Sequence, residues 1–319
     1  MRYVCVMGPT AAGKTALAAA LHQRLPMEIV SVDSAMVYRE MDIGTGKPDA
    51  KMLETTPHRL IDICDAAHRY SAAQFAHDAR REIADIHSRG RLPLLVGGTG
   101  LYFRALSEGL SPLPGADEKV RVRLQREANE FGWRRLYERL IDVDPASAKR
   151  LHPHDKQRIQ RALEVFELTG RPWSDAIKVT PPRGAQSLAS PLRVVVAPCD
   201  RAQLHEVIAQ RFDAMLAQGL VEEVAGLRSR GDLSADSPSM RSVGYRQVWD
   251  YLEGNVSRER MSEQAVVATR QLARRQLTWL RRAVALEHWL HVSPSVGFQN
   301  ATLDLLVEQV MAYFEWGSQ

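Results

Sequence analysis

Eight residues near the start, Gly8-Pro9-Thr10-Ala11-Ala12-Gly13-Lys14-Thr15, narrow the possible folds more than the rest of the chain does. They match G-x-x-x-x-G-K-[ST] and sit between a short apolar run, Tyr3 to Met7, and a helical stretch, Lys14 to Leu25, that Pro26 stops. Glycines let backbone wrap around an anion with successive N–H groups pointing inward, and the following helix turns its positive end to the same place. Lys14 adds a point charge, and Thr15 offers a hydroxyl to Mg²⁺. The diphosphate-binding set expected here is Gly8, Thr10, Ala11, Ala12, Gly13, Lys14 and Thr15, with Thr15 as the metal ligand. The loop identifies a phosphate chain, not its carrier. No Asn-Lys-x-Asp is present, so guanine recognition has no support.

Such a loop needs a sheet, and further apolar runs supply one. Glu28 to Val32, Leu92 to Val96 and Arg193 to Ala197 read as strands, with helical stretches such as 71–89 between them. Continuous apolar strands alternating with helices imply an α/β fold, a P-loop NTPase-like parallel sheet flanked by helices. Residues 118–183 are rich in Arg, Glu, Leu and Gln and hold no strand-like run; a loop-like stretch with four Pro or Gly follows at 180–191. This reads as an all-helical insertion domain. The expected organisation is a core at 1–117, an insertion at 118–186, and the rest of the core with basic helices at 187–319.

Charge supports that division. The chain of 319 residues carries 42 basic and 38 acidic side chains, but the excess is concentrated. Residues 118–183 hold 15 basic and 10 acidic, residues 241–282 hold 9 and 4, and no Lys or Arg follows residue 282. Clustered Lys and Arg attract phosphate backbones through Coulomb forces and counterion release. The three cysteines, Cys5, Cys64 and Cys199, are too dispersed for a disulfide scaffold or a Cys-x-x-Cys metal site. No apolar run approaches the roughly 18 residues of a membrane span. With no secretion signal at the start, a monomer in the cytoplasm is the default expectation.

Sites in open α/β sheets lie beyond the carboxyl ends of the strands. The second strand ends in Asp33-Ser34-Ala35-Met36, and the third in Gly97-Gly98-Thr99-Gly100. If these strands neighbour the first, Asp33 and Thr99 face the bound phosphates. Asp33 then suits a general base or metal-linked carboxylate, or else only caps the segment after it; Thr99 either bonds substrate or serves the turn. At about 100° per residue, Leu204, Val207, Ile208 and Met215 share a helix stripe with Arg211 in its middle. A charge there needs an anion, either a diphosphate or an internal carboxylate.

Three basic segments remain. In 155–169, capped by Asp155 and ended by Gly170, Ile159, Leu163 and Phe166 form the apolar stripe, and Gln157 and Arg161 share another face with Arg158 nearby. In 264–282 an apolar arc of Val266, Ala273, Leu277, Trp279 and Leu280 stands opposite Arg270, Arg274, Arg275, Arg281 and Arg282. That face reads as a phosphate-backbone ladder or a solvated surface. Around Gly244, Arg241, Tyr245 and Arg246 offer cations and an aromatic ring suited to stacking a base.

Taken in order, these segments resemble the tRNA dimethylallyltransferase (tRNA isopentenyltransferase) family. The resemblance rests on GPTAAGKT (8–15), DSAMVY (33–38), GTGKP (44–48), RLIDI (59–63), YSAAQF (70–75), LPLLVGGTGLYF (92–103), HPHDKQRIQRALEV (152–165), SMRSVGYRQVW (239–249) and ATRQLARRQLTWLR (268–281), covering about 1–285. It implies transfer of a dimethylallyl group from dimethylallyl diphosphate to N6 of the adenosine 3′-adjacent to the anticodon, position 37, in tRNAs reading codons that start with U, with Mg²⁺. It places the general base on Asp33, with Thr99 and Arg211 completing the catalytic set. It places tRNA contacts on Asp33, Ser34, Ala35, Met36, Thr99 and Arg121, on Gln157, Arg158, Ile159, Gln160 and Arg161, and on Arg241, Ser242, Val243, Gly244, Tyr245 and Arg246. Arg270 and Arg274 join them from the basic helix. Ser242 stands where many bacterial relatives have Cys. The implied partners are the tRNA anticodon stem-loop and the allyl diphosphate. Alternatives are a nucleotide or small-molecule kinase, a nucleotide-switched RNA-binding module, and an adenylate isopentenyltransferase. None of them needs both the basic insertion and the arginine-rich helix.

Overall fold

The computed structural model describes residues 1–177, 190–284, 289–292 and 300–315. Most of the loop-like stretch at 180–191 therefore lies outside the described residues. In chain order the elements are β1 (Val4–Met7), α1 (Lys14–Arg24), β2 (Met27–Val32), α2 (Ala50–Thr55), β3 (His58–Arg59), α3 (Ala72–Ser88), β4 (Leu92–Gly97) and α4 (Gly100–Ser107). Then follow α5 (Glu118–Val143), α6 (Pro145–Ala148), α7 (Lys156–Thr169), α8 (Trp173–Ala176), β5 (Leu192–Pro198), α9 (Arg201–Ala217), α10 (Leu220–Ser229), α11 (Tyr245–Leu252), α12 (Arg258–Ala283), β6 (Trp289–Val292) and α13 (Asn300–Glu315). The chain divides into two compact units, Met1–Ser107 with Ser187–Gln319, and Glu108–Gln186.

In the larger unit six parallel strands form one sheet in the order β3-β2-β4-β1-β5-β6. All four residues of β1 are buried, as a strand covered on both faces requires. Two strands were not expected from the sequence. β3 has only two residues, too few to show a period, and β6 (Trp-Leu-His-Val) has only four, in a region where no strand was read. Helix starts follow local chemistry. Ser71 and Gln74 form a reciprocal capping box at α3, whose buried Phe75, Ala79, Ile83 and Ile86 recur at helical spacing. α1 ends because Leu25 precedes Pro26 and is extended (φ −132°, ψ 151°).

The tail belongs to this unit's core. Leu303, Leu306 and Val310 of α13 join Leu17, Leu21 and Val194 in one apolar cluster. Each such side chain contributes about 1.5–3 kcal/mol, which outweighs the exposed Arg24–Asp304 pair at roughly 0–1 kcal/mol.

The smaller unit packs α5 to α8 around Leu124, Leu136, Leu140, Ile159 and Leu163. Its boundary falls ten residues before the expected one, because Ser111 bonds the Ile177 carbonyl and Pro114 accepts from Arg161. α5 is broken at Gly132, which takes φ 82° and ψ 155°. The buried face of α7 differs from the expected stripe: Phe166 is only half-buried, while Glu164 is fully buried. Glu164 accepts from Arg121 Nε at 2.7 Å, Arg161 Nη1 at 2.6 Å and the Asp117 N–H at 2.9 Å. Burial opposes its charge, but hydrogen bonds from Arg121 and Arg161 hold the carboxyl below its ordinary range.

Candidate active site

The sheet order brings three strand ends together, because β4 lies between β2 and β1. The loop after β1, Asp33 after β2 and Gly97 to Thr99 after β4 therefore open on one side. A cavity of about 170 Å³ lies there, with Thr10, Ala11, Lys14, Thr15, Asp33, Gly97 and Arg211 in its wall; Thr99 is not among its lining residues. Apolar groups, Met36, Ile208, Phe212, Met215 and Leu272 among them, fill much of the remainder. The site thus joins a cationic end to a greasy interior.

The loop has the curvature an anion cradle needs. Ala11 and Gly13 both take positive φ, 62° and 88°. For Ala11 this costs about 1–3 kcal/mol, a strain found at functional turns. Lys14 Nζ donates to the Pro9 carbonyl at 2.7 Å. Burial pushes the ammonium down to about 8, with Asp33 opposing and the Arg211 guanidinium adding to the shift. Arg211 is lowered by burial and supported by Asp33, and it makes no hydrogen bond or ion pair among the described residues. Two cations thus sit in the cavity wall and, among the described residues, Lys14 bonds only to a backbone carbonyl and Arg211 to nothing.

Asp33 takes the capping role offered for it. One oxygen, Oδ1, accepts from the Ala35 and Met36 N–H groups at 2.8 and 3.3 Å and so fixes the turn. Those bonds leave Oδ2 unengaged. Thr99 Oγ1 accepts from the Ser34 N–H at 3.2 Å and ties the loops after β2 and β4 together. Ala35, Met36, Ser242, Val243 and Gly244 also line the cavity, and Ser34 is exposed beside it.

Several expectations need correcting. Tyr245 is fully buried and donates its hydroxyl to Glu223, so it is not free to stack a base. Ile159 is fully buried in the helical core, leaving only its backbone for any partner. Arg121 and Arg161 are held by Glu164, and Gln160 donates to the Arg121 carbonyl at 3.2 Å. Gln157 and Arg158 remain exposed. On α9 the buried stripe is Leu204, Ile208 and Phe212, with Arg211 and Met215 flanking it at the cavity. The five arginines of α12 form two stripes at about 100° per residue, one of Arg270, Arg274 and Arg281 and one of Arg275 and Arg282. Arg241 is exposed and pairs with Asp236, and Arg246 is exposed.

Other residues went unread in the sequence. Gln276 of α12 accepts the Thr10 N–H at 2.8 Å and donates to the Gly98 carbonyl at 3.1 Å, bridging the phosphate loop and the loop after β4. Its signal was available: it is a polar residue between buried Ala273 and Leu280 on one stripe. His58 lines the cavity with Nδ1 2.7 Å from the Thr56 carbonyl, and burial lowers its pKa.

Among the described residues no group of three or more His, Cys, Asp or Glu is placed to hold a metal. Thr15 and Asp33 share the cavity wall. Such a sparse oxygen set fits Mg²⁺, which takes one or two protein ligands together with substrate phosphates rather than a protein cage.

The IPP transferase family pattern matches residues 36–283. A tRNA dimethylallyltransferase of Alkalilimnicola ehrlichii is 57% identical over 286 residues, covering 89% of each chain. One of Coxiella burnetii is 51% identical over 319 residues, covering 98% of this chain and 96% of its own. The crystal structure of the full-length tRNA isopentenylpyrophosphate transferase of Bacillus halodurans superposes with a TM-score of 0.68 at 36% identity, covering 99% of this chain and 98% of that one. A eukaryotic dimethylallyltransferase crystallised acting on tRNA aligns at TM-score 0.73 over 96% of this chain and 77% of its own; at 24% identity it bears on the fold alone. No helix among the described residues is long and apolar enough to cross a membrane.

Proposed function

Because this chain belongs to the IPP transferase family and is a tRNA dimethylallyltransferase, we propose that the cavity described above is where the prenyl group moves from dimethylallyl diphosphate to N6 of adenosine 37. The observation that carries this reading is the meeting of Lys14, Arg211 and Asp33 in one partly apolar cavity.

An adenine amine is a weak nucleophile, so much of the barrier lies in the departure of the diphosphate. Lys14, the loop amides and Arg211 neutralise charge as it gathers on that group. Thr15 would hold Mg²⁺, which would supply Lewis-acid charge at the leaving group. Apolar Met36, Phe212 and Met215 give the allyl chain a water-poor setting, which limits its loss to hydrolysis. The C–N bond forms as the C–O bond to diphosphate breaks, and the amine proton passes to Asp33 Oδ2. The adenine leaves its stack to reach the cavity, and Arg158, Arg246, Arg274 and their basic neighbours grip the anticodon arm. Membership of this family leaves the kinase and nucleotide-switch readings without an observation in their favour.

The test is nucleoside mass analysis of unmodified tRNA incubated with enzyme, Mg²⁺ and dimethylallyl diphosphate. The expected product is N6-isopentenyladenosine at position 37 with diphosphate released in equal amount. Prenylation at another nucleoside, or none with the intact protein, contradicts the proposal.

A further inference from the structure

The motif Gly44-Thr45-Gly46-Lys47-Pro48 has no part in the chemistry above, yet four of its residues line the cavity and both of its ends are tied down. Glu223 of α10 accepts the N–H groups of Asp42 and Ile43 at 2.8 Å each and of Gly44 at 3.2 Å, and also the Tyr245 hydroxyl. Lys47, with 3% of its side chain exposed, donates to the Tyr38 carbonyl and to Asp42 Oδ1, both at 2.6 Å, and pairs with Asp62. Between these anchors lies Gly46 at φ +64°. A Cβ there would fall 1.8 Å from Arg211 Nη2 and 2.9 Å from Cζ. The Gly46 backbone is therefore in direct contact with the guanidinium.

Among the described residues Arg211 has no hydrogen-bonding partner to orient it, so its direction depends on what it packs against. A long side chain that is free to wander loses rotamer freedom when it grips an anion. A rigid wall removes those rotamers beforehand. We propose that the Gly44–Pro48 loop is a seat for Arg211, in which Gly46 and, one step removed, Glu223 are positioning residues that aim the guanidinium at the diphosphate. This rests on the reading of Arg211 as a diphosphate ligand.

The experiment is a pair of double-mutant cycles on the full-length enzyme, with kcat and KM measured separately for dimethylallyl diphosphate and tRNA. Arg211→Ala is combined with Gly46→Ala and with Glu223→Gln. Gly46→Ala also strains the backbone; Glu223→Gln keeps side-chain volume and serves where the alanine variant does not fold. Each single loop variant is expected to lower kcat/KM for the diphosphate by about ten- to a hundredfold, the scale of an ångström of misplacement, with KM for tRNA within about twofold. In the Arg211→Ala background the same changes are expected to cost less than about twofold, since their target is gone. Equal losses in both backgrounds overturn the seat while leaving Arg211 as a ligand. An Arg211→Ala enzyme with unimpaired diphosphate kinetics overturns the ligand reading itself, and the seat with it.

Discussion

Asp33→Ala is expected to lower turnover by roughly 10²–10⁴-fold, the contribution of a positioned general base, while tRNA affinity stays within about threefold. Loss of the turn bonds to Ala35 and Met36 costs about 1 kcal/mol, too little to explain such a fall by unfolding. Asp33→Asn separates the two roles. Its amide oxygen can still accept from those N–H groups, but it cannot take a proton. An equally inactive Asn variant with the wild-type melting temperature assigns the loss to proton transfer. Near-normal turnover in either variant removes Asp33 as the base.

Lys14→Met is expected to lower kcat/KM for dimethylallyl diphosphate by roughly 10²–10³-fold, as losing a preorganised charge at a developing anion does. The pH dependence carries the same signature. Burial holds the Lys14 ammonium at about 8 rather than 10.5, so the free enzyme loses this cation as pH rises through that value. Measured kcat/KM for the diphosphate should be level below pH 8 and fall above it, and Lys14→Arg should abolish the fall. Unfolding does not mimic this. Between 8 and 10.5 the unfolded chain keeps a proton that the folded one has released, so this group adds stability with rising pH. A profile unchanged by Lys14→Arg would contradict the assignment.

Much of the cavity was legible because its makers are local. The glycine loop announces itself between a strand and a helix, and Asp33 and Gly97 stand at the ends of apolar runs. Arg211 shows as a charge within an apolar stripe. The misread residues depend on distant partners. Glu164 lies outside the stripe read as Ile159, Leu163 and Phe166, and its partner Arg121 stands 43 residues earlier. Tyr245 reads as a stacking ring because arginines flank it in sequence, whereas Glu223, 22 residues upstream, turns it inward. Gln276 gave the same signal as Arg211 but lay on a helix where charge drew the reading to the opposite face. The Gly44–Pro48 motif was noticed as a resemblance, but its contact with a guanidinium 165 residues later exists only in the fold.

The central claim is that one cavity holds the leaving diphosphate and the base that frees the amine. Its most direct test is a structure of the enzyme with the anticodon arm of its tRNA and a thiolo analogue of dimethylallyl diphosphate, whose C–S bond resists cleavage. The account predicts diphosphate oxygens against Lys14 and Arg211, and the adenine N6 within hydrogen-bonding reach of Asp33. A diphosphate seated away from the loop, or an N6 that meets no carboxylate, would contradict it.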